Sequence, residues 1–400
     1  LDFEAQLRFT KGSFLPFLIF PNAEGEMNLD TNGNFGGASF RRLRIAQVAP
    51  LYESVPPRLY GGTERVVSYI TEELVRRGHE VTLFASGDSQ TKANLVPGCP
   101  QALRLHSKPE LGCSLQLAML AEVFESAREN FDVVHSHIDY WSFPFAGLTG
   151  VPALTTMHGR LDIPDLFPVY HRFPAAPIVS ISDAQRAPLA DMNWVATVPH
   201  GMPRDLLRFN QRRGKYLAFI GRISPEKGID VAIEVALRSG VPLKIAAKVD
   251  AVDKEYFANV IEPLIKPPMI EYIGEIDDVQ KSEFLGGALA LIFPINWPEP
   301  FGLAMIEALA CGTPVIARPC GSVSEVIRPG VTGFLASEID DLVAAVGKID
   351  SIPRERCRRE FEERFTSEVM IAKYERVYHR LIGLDAIAPE FETRAAAVGR

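Results

Sequence analysis

The stretch from Leu289 to Ala317 admits few folds. Leu289-Ala-Leu-Ile-Phe-Pro294 is an apolar run of the kind found in a parallel strand buried on both faces. In the loop Trp297-Pro-Glu-Pro-Phe-Gly302, Pro298 and Pro300 bracket Glu299. They hold the backbone extended, because a residue before proline is pushed out of the helical region. The strong formers Leu303, Ala304, Met305, Glu307 and Ala308 predict a helix from about Gly302 to Leu309. Gly312 and Pro314 stop it, and Val315-Ile316-Ala317 starts a second strand.

The start of that helix has a chemical character. At Gly302 no side chain blocks approach to the first free N–H groups, and these groups with the helix dipole attract an anion. Glu299 stands just before this point and Glu307 two turns inside the helix. Carboxylates accept hydrogen bonds from neutral hydroxyls. Two of them beside an anion site point to a phosphate that carries several hydroxyls, a nucleotide sugar. Taken alone, the pair reads equally well as a solvated loop glutamate and a helix-surface one.

Glu299, seven residues and then Glu307, with Gly302 and Gly312-Thr-Pro-Val315, resembles the paired-glutamate motif of retaining glycosyltransferases of family 4. The similarity extends from Leu43 to about Leu381. It implies an α/β chain of GT-B architecture, two doubly wound Rossmann-like domains facing a cleft. The N-terminal acceptor domain is expected over 41–203, completed by a C-terminal helix at 367–382, and the nucleotide-sugar-binding domain over 204–366.

Size and composition agree with such a layout. At roughly 150 residues per domain, 400 residues suggest two or three domains. A hydrophobic content of 47% and a charged content of 23% are those of a globular protein. The net charge of -8 argues against nonspecific nucleic-acid binding, while leaving room for a local basic patch at a membrane surface. Five cysteines without Cys-x-x-Cys suggest reduced thiols in the cytosol. Cys311 and Cys320 read as small buried hydrophobes. Residues 1–40, with Phe14–Phe20 too short to span a bilayer, are expected to be a poorly ordered extension reflecting where translation was taken to start. The tail 383–400 is expected to be loose.

Along the chain, Arg44–Ala49 is a strand and Gly61-Gly62 leads into a helix from about Thr63 to Arg77. Val66, Val67, Ile70, Leu74 and Val75 form its inner face, and Glu80–Ala85 is the next strand. This β–α–β opening lacks Gly-x-Gly-x-x-Gly, which speaks against a dinucleotide oxidoreductase. A helix near Leu115–Asn130 and strands at Asp132–His137, Pro152–Met157 and Ile178–Ser182 follow. Strands alternating with helices give a parallel sheet, with ligands at the carboxyl ends of its strands. His135, His137 and His158 fall at such ends. His135, His137 and Asp139 at alternate positions are a weak metal candidate, since no fourth ligand is apparent. His158, before Gly159, can hydrogen-bond a sugar or donate a proton.

Val198-Pro-His-Gly-Met-Pro203 stands where the family usually has Asn-Gly-Val-Asp, so His200, Met202 and Pro203 depart from its pattern. The second domain opens with the strand Tyr216–Gly221, followed by a turn carrying Arg222 and Lys227, and a helix from about Ile229 to Ser239. Further strands are Leu243–Ala247 and Ile270–Gly274. Ala247 and Ser322 each replace a usual family glycine, the latter making its loop bulkier. Phe361, Phe365, Tyr374, Val377, Tyr378 and Leu381 show helical spacing near the C-terminus.

The resemblance assigns roles. Glu307 would take the ribose hydroxyls and Glu299 the sugar hydroxyls, helped by the N–H groups of Phe301 and Gly302. Arg222, Lys227 and the helix start at Leu303 would stabilise the departing diphosphate. With no Asp-x-Asp triplet present, these cations replace a metal, and no cofactor beyond the nucleotide-sugar substrate is expected. Gly61 and Gly62 would let backbone reach the phosphates, although the pair also reads as an ordinary tight turn. His158 would lie near the reacting sugar. The acceptor is a glycan, a lipid-linked sugar or a small molecule. Rival readings are a two-domain protein that binds sugar without chemistry and a nucleotide-sugar epimerase.

Overall fold

The computed structural model describes residues 41–58, 61–105 and 111–383. The expectations for residues 1–40 and for the tail beyond 383 lie outside these residues. Apolar runs separated by amphipathic segments fold into two all-parallel sheets. The first has seven strands: β1 (Arg44–Val48), β2 (Glu80–Ser86), β3 (Asn94–Cys99), β4 (Val133–Ser136), β5 (Ala153–Thr156), β6 (Ile178–Ser180) and β7 (Trp194–Thr197). Their order is β3-β2-β1-β4-β5-β6-β7. The second has β8 (Leu217–Arg222), β9 (Leu243–Lys248), β10 (Ile270–Gly274), β11 (Ala290–Phe293), β12 (Val315–Ala317) and β13 (Gly333–Leu335). Their order is β10-β9-β8-β11-β12-β13.

In each sheet the winding direction reverses once, between β1 and β4 and between β8 and β11. At such a reversal the connections diverge to opposite faces and leave a crevice beyond the carboxyl ends of the strands. The two crevices contribute to one cleft of about 500 Å³. Helix α1 (Gly62–Arg76) opens on it from the first sheet, and α2 (Leu303–Ala310) from the second. Val66, Val67, Ile70 and Leu74 are buried as the spacing predicts, while Val75 is half-buried.

The C-terminal helix α3 (Ser367–Leu381) lies against α1. Its Tyr374 and Tyr378 are fully buried, and their hydroxyls reach Thr156 at 2.9 Å and His135 at 2.8 Å in the first sheet. Burying a large apolar side chain contributes roughly 1.5–3 kcal/mol, provided its polar tip is satisfied. Direct bonds also tie the two halves together. Ser182 Oγ donates to the Pro300 carbonyl at 2.7 Å, and Arg65 pairs with Asp278 at 2.6 Å. The Glu325 carboxylate accepts from the N–H groups of Asp183 and Ala184 at 2.9 and 2.8 Å. Among the described residues no helix is long and apolar enough to cross a membrane.

Candidate active site

The ten residues given donor-binding or catalytic roles all line the same cleft: Gly61, Gly62, His158, Arg222, Lys227, Glu299, Phe301, Gly302, Leu303 and Glu307, whereas His135, His137 and Asp139 do not. The loop before α2 is held by its neighbour. Gly321 has φ +61°, and a Cβ there would lie 2.4 Å from both the nitrogen and the oxygen of Glu299. Ser322 donates its N–H to the Glu299 carbonyl and its hydroxyl to the Phe301 carbonyl, each at 2.9 Å. The bulk expected of Ser322 is thus a buried clasp. Gly302 has φ +81°, a conformation that favours glycine, and a Cβ would meet Met305 Cε at 2.7 Å.

The charged groups on this wall are paired. Glu299 Oε2 accepts from Lys227 Nζ at 2.7 Å and from Trp297 Nε1 at 3.0 Å. The Lys227 ammonium also lies 4.8 Å from the centre of the Trp297 ring. Glu307 accepts from Lys281 Nζ at 2.7 Å, and Lys281 is 3.3 Å from Asp278. Arg222 pairs with Glu226, and lies 3.5 Å from Asp253 and 3.8 Å from Asp250. The sequence reading aims Arg222 at a departing diphosphate. Arg222 lines the cleft, and its guanidinium sits within an acidic surround that the reading did not include.

The opposite wall carries charged residues, Glu53, Glu64, Arg65 and Arg104, and beside them a cluster of neutral rings. His137 stands between Gln47 and His158, with Nε2 2.8 Å from Gln47 Oε1 and Nδ1 2.9 Å from His158 Nε2. His135 bonds Tyr378 Oη at 2.8 Å and Thr156 Oγ1 at 2.7 Å. His158 stacks on His200 with ring centres 5.1 Å apart, and His200 meets the edge of Phe301 at 5.0 Å. Burial disfavours the imidazolium throughout: His135, His137 and His200 are held well below the ordinary histidine value, and His158 at about 3. His158 is therefore neutral at physiological pH, which favours hydrogen bonding over proton donation. Both ring nitrogens of His135 and of His137 are engaged within the protein. Among the described residues no group of three or more His, Cys, Asp or Glu side chains could hold a metal ion. Asp139 has φ 39°, and burial pushes its carboxyl up to about 6.

Several lining residues escaped the sequence reading: Arg65, Lys281, Trp297 as a partner of Glu299, and His200 as part of the histidine stack. His200 had a signal, a histidine beside glycine in the segment joining two predicted domains. Lys281 had none, because its partner Glu307 lies 26 positions away on another helix.

The geometry agrees with what comparison with known proteins finds. Residues 60–219 match the family described as Glycosyltransferase Family 4, and residues 207–367 match Glycosyl transferases group 1. A D-inositol 3-phosphate glycosyltransferase of Acidothermus cellulolyticus is 26% identical over 406 aligned positions, covering 85% of this chain and 88% of that protein. Among solved structures, AviGT4, a glycosyltransferase involved in avilamycin A biosynthesis, superposes with a TM-score of 0.64 at 23% identity, over 85% of this chain and 98% of its own. Anabaena HepE in complex with UDP superposes with a TM-score of 0.67 at 17% identity, over 84% and 100%. Two parallel sheets wound around a shared cleft, with these two families together matched over residues 60–367, make this chain a GT-B glycosyltransferase of the group 1, family 4 type.

Proposed function

We propose that the protein transfers a hexosyl group from a UDP- or GDP-linked sugar to an acceptor hydroxyl with retention of anomeric configuration and without a metal ion. The observation that carries this reading is the convergence of Glu299, Glu307, Lys227 and Arg222 around the opening turn of α2. The glycine pair Gly61-Gly62 faces that turn, Gly62 lying opposite Leu303. Donor binding would exchange the Lys227–Glu299 pair. Lys227 would turn to the diphosphate, and Glu299 would then accept from sugar hydroxyls, as Glu307 does from the ribose. As the bond from the anomeric carbon to phosphate breaks, Arg222, Lys227 and the N–H groups from Phe301 to Leu303 would stabilise the charge left on the diphosphate. The acceptor oxygen would attack on the same face and pass its proton to the departing phosphate oxygen. His158 would hydrogen-bond the reacting sugar.

The curated relative's name makes D-inositol 3-phosphate one acceptor to test, beside glycans and lipid-linked sugars, the last of which would bring the protein to a membrane surface. Five free thiols accord with a cytosolic setting. Thermal-shift titration with UDP- and GDP-sugars identifies the donor. NMR of the product then reads its anomeric configuration, and inversion would overturn the mechanism. An epimer formed from donor alone would identify an epimerase, and binding without turnover a sugar-binding protein.

A further inference from the structure

Gln47, His137 and His158 form a hydrogen-bonded line from the middle of β1 to the cleft. Gln47 is fully buried. Its nitrogen donates to Tyr378 Oη at 3.2 Å and stands 3.4 Å from His135 Nδ1, and its oxygen faces His137 Nε2 at 2.8 Å. Turned over, the amide would place its nitrogen against a single acceptor and bury an N–H without a partner, which is costly. An amide oxygen only accepts, so His137 carries its proton on Nε2. A neutral imidazole has one proton, so His137 Nδ1 is a lone pair. His158 must then donate Nε2–H across the 2.9 Å contact and keep Nδ1 bare. That nitrogen is buried without a hydrogen-bond partner, on a ring that lines the cleft.

We propose that Gln47 and His137 are positioning residues that hold His158 in the Nε2–H tautomer, making its Nδ1 an acceptor for a sugar hydroxyl. The hydroxyl rests on the glycosyl-transfer reading, whereas the tautomer can be measured without any substrate. A carbonyl or ionised phosphate oxygen has no proton to give such an acceptor, so this point of the cleft selects for a hydrogen-bond donor, which on a sugar is a hydroxyl.

The test is NMR of the full chain with 15N-labelled histidine, the His158 signals being those lost in His158→Gln. The expected result is a proton on Nε2 and a bare, pyridine-type Nδ1; a proton on Nδ1 overturns the proposal. Kinetics of two variants test the positioning role. His137→Asn places an amide oxygen near the former Nδ1 and should keep the tautomer and most of kcat. His137→Leu removes the acceptor and should lower kcat about 10- to 100-fold with less effect on donor KM, the range found where an outer partner orients a metal-bound histidine. If both variants keep the wild-type tautomer and turn over alike, His137 has no positioning role. If no nucleotide sugar binds or reacts, the transfer reading falls while the tautomer result stands.

Discussion

Apart from the Arg65–Asp278 and Arg104–Glu53 pairs on the first wall, the two walls of the cleft hold their central polar groups by different means. On the first-domain wall, His135, His137 and His200 are buried and His158 half-buried, all four uncharged, and hydrogen bonds to Gln47, Thr156 and Tyr378 orient two of these rings. On the second-domain wall, Arg222, Lys227 and Lys281 each meet at least one carboxylate. A neutral network gains little from rearranging, because any move would bury an unpaired polar group. An ion pair can exchange partners, since a phosphate replaces a carboxylate with little loss of charge interaction. The first wall is therefore suited to fixed orientation, and the second to charge that must move with the ligand.

Acid should separate the walls most strongly. Each of the four histidines is neutral when folded and charged when unfolded below about pH 6.5. Their contribution to stability is present above that pH and is lost as pH falls toward the depressed folded values, by about 1.4 kcal/mol per pH unit for each fully buried histidine. Acid therefore weakens the first domain, where these histidines sit. Variants keeping only Trp194 in the first sheet or only Trp297 in the second-domain loop give separate fluorescence probes. Trp194 should report unfolding at the higher pH, and coincident transitions would erase the distinction between the walls.

Next in size is Arg222→Ala. A cation that gains strength as the leaving group acquires charge acts on turnover, so kcat should fall on the order of 10²-fold, as when one charge-stabilising donor is removed. Near wild-type turnover would mean that Arg222 serves only its acidic neighbours. Glu299→Gln should have a smaller effect, with a larger share in donor KM, because the sugar hydroxyls exist in ground and transition states alike. It also releases Lys227 from its carboxylate, which would offset part of the loss. Steady-state kinetics with folding checked by circular dichroism distinguish the two. The smallest expected effect is that of EDTA: if cations on the second wall replace a metal, activity should be unchanged. A loss restored by magnesium or manganese would refute that.

The interior strands of both sheets were legible as apolar runs, from β1 at Arg44 to β12 at Val315, within two residues at their ends. The unread strands β3, β7 and β13 are all edge strands, although the remaining edge, β10, was read from Ile270–Gly274. β3 is mostly half-exposed and contains Pro97, which an edge tolerates because one side of the backbone needs no ladder bond. β13 has three residues, too few for a period to show. Burial on both faces writes a strand into composition, and an edge erases much of that signal.

Sequence alone determined the spacing of Glu299, Gly302 and Glu307, since a short loop and two helical turns leave their backbone little freedom. It also determined that Arg222 and Lys227 follow a strand end. Tertiary structure decided what these groups touch. Lys281 meets Glu307 because its helix packs beside α2. Gln47, His137 and His158 meet because β1, β4 and β5 are adjacent, an order set by how the helices cover the sheet. Tyr378 joins them only because the last helix returns to the first domain. Backbone preferences act over a few residues and can be read locally. Hydrogen-bond and ion-pair partners are chosen by strand order and helix packing, which depend on the whole chain at once.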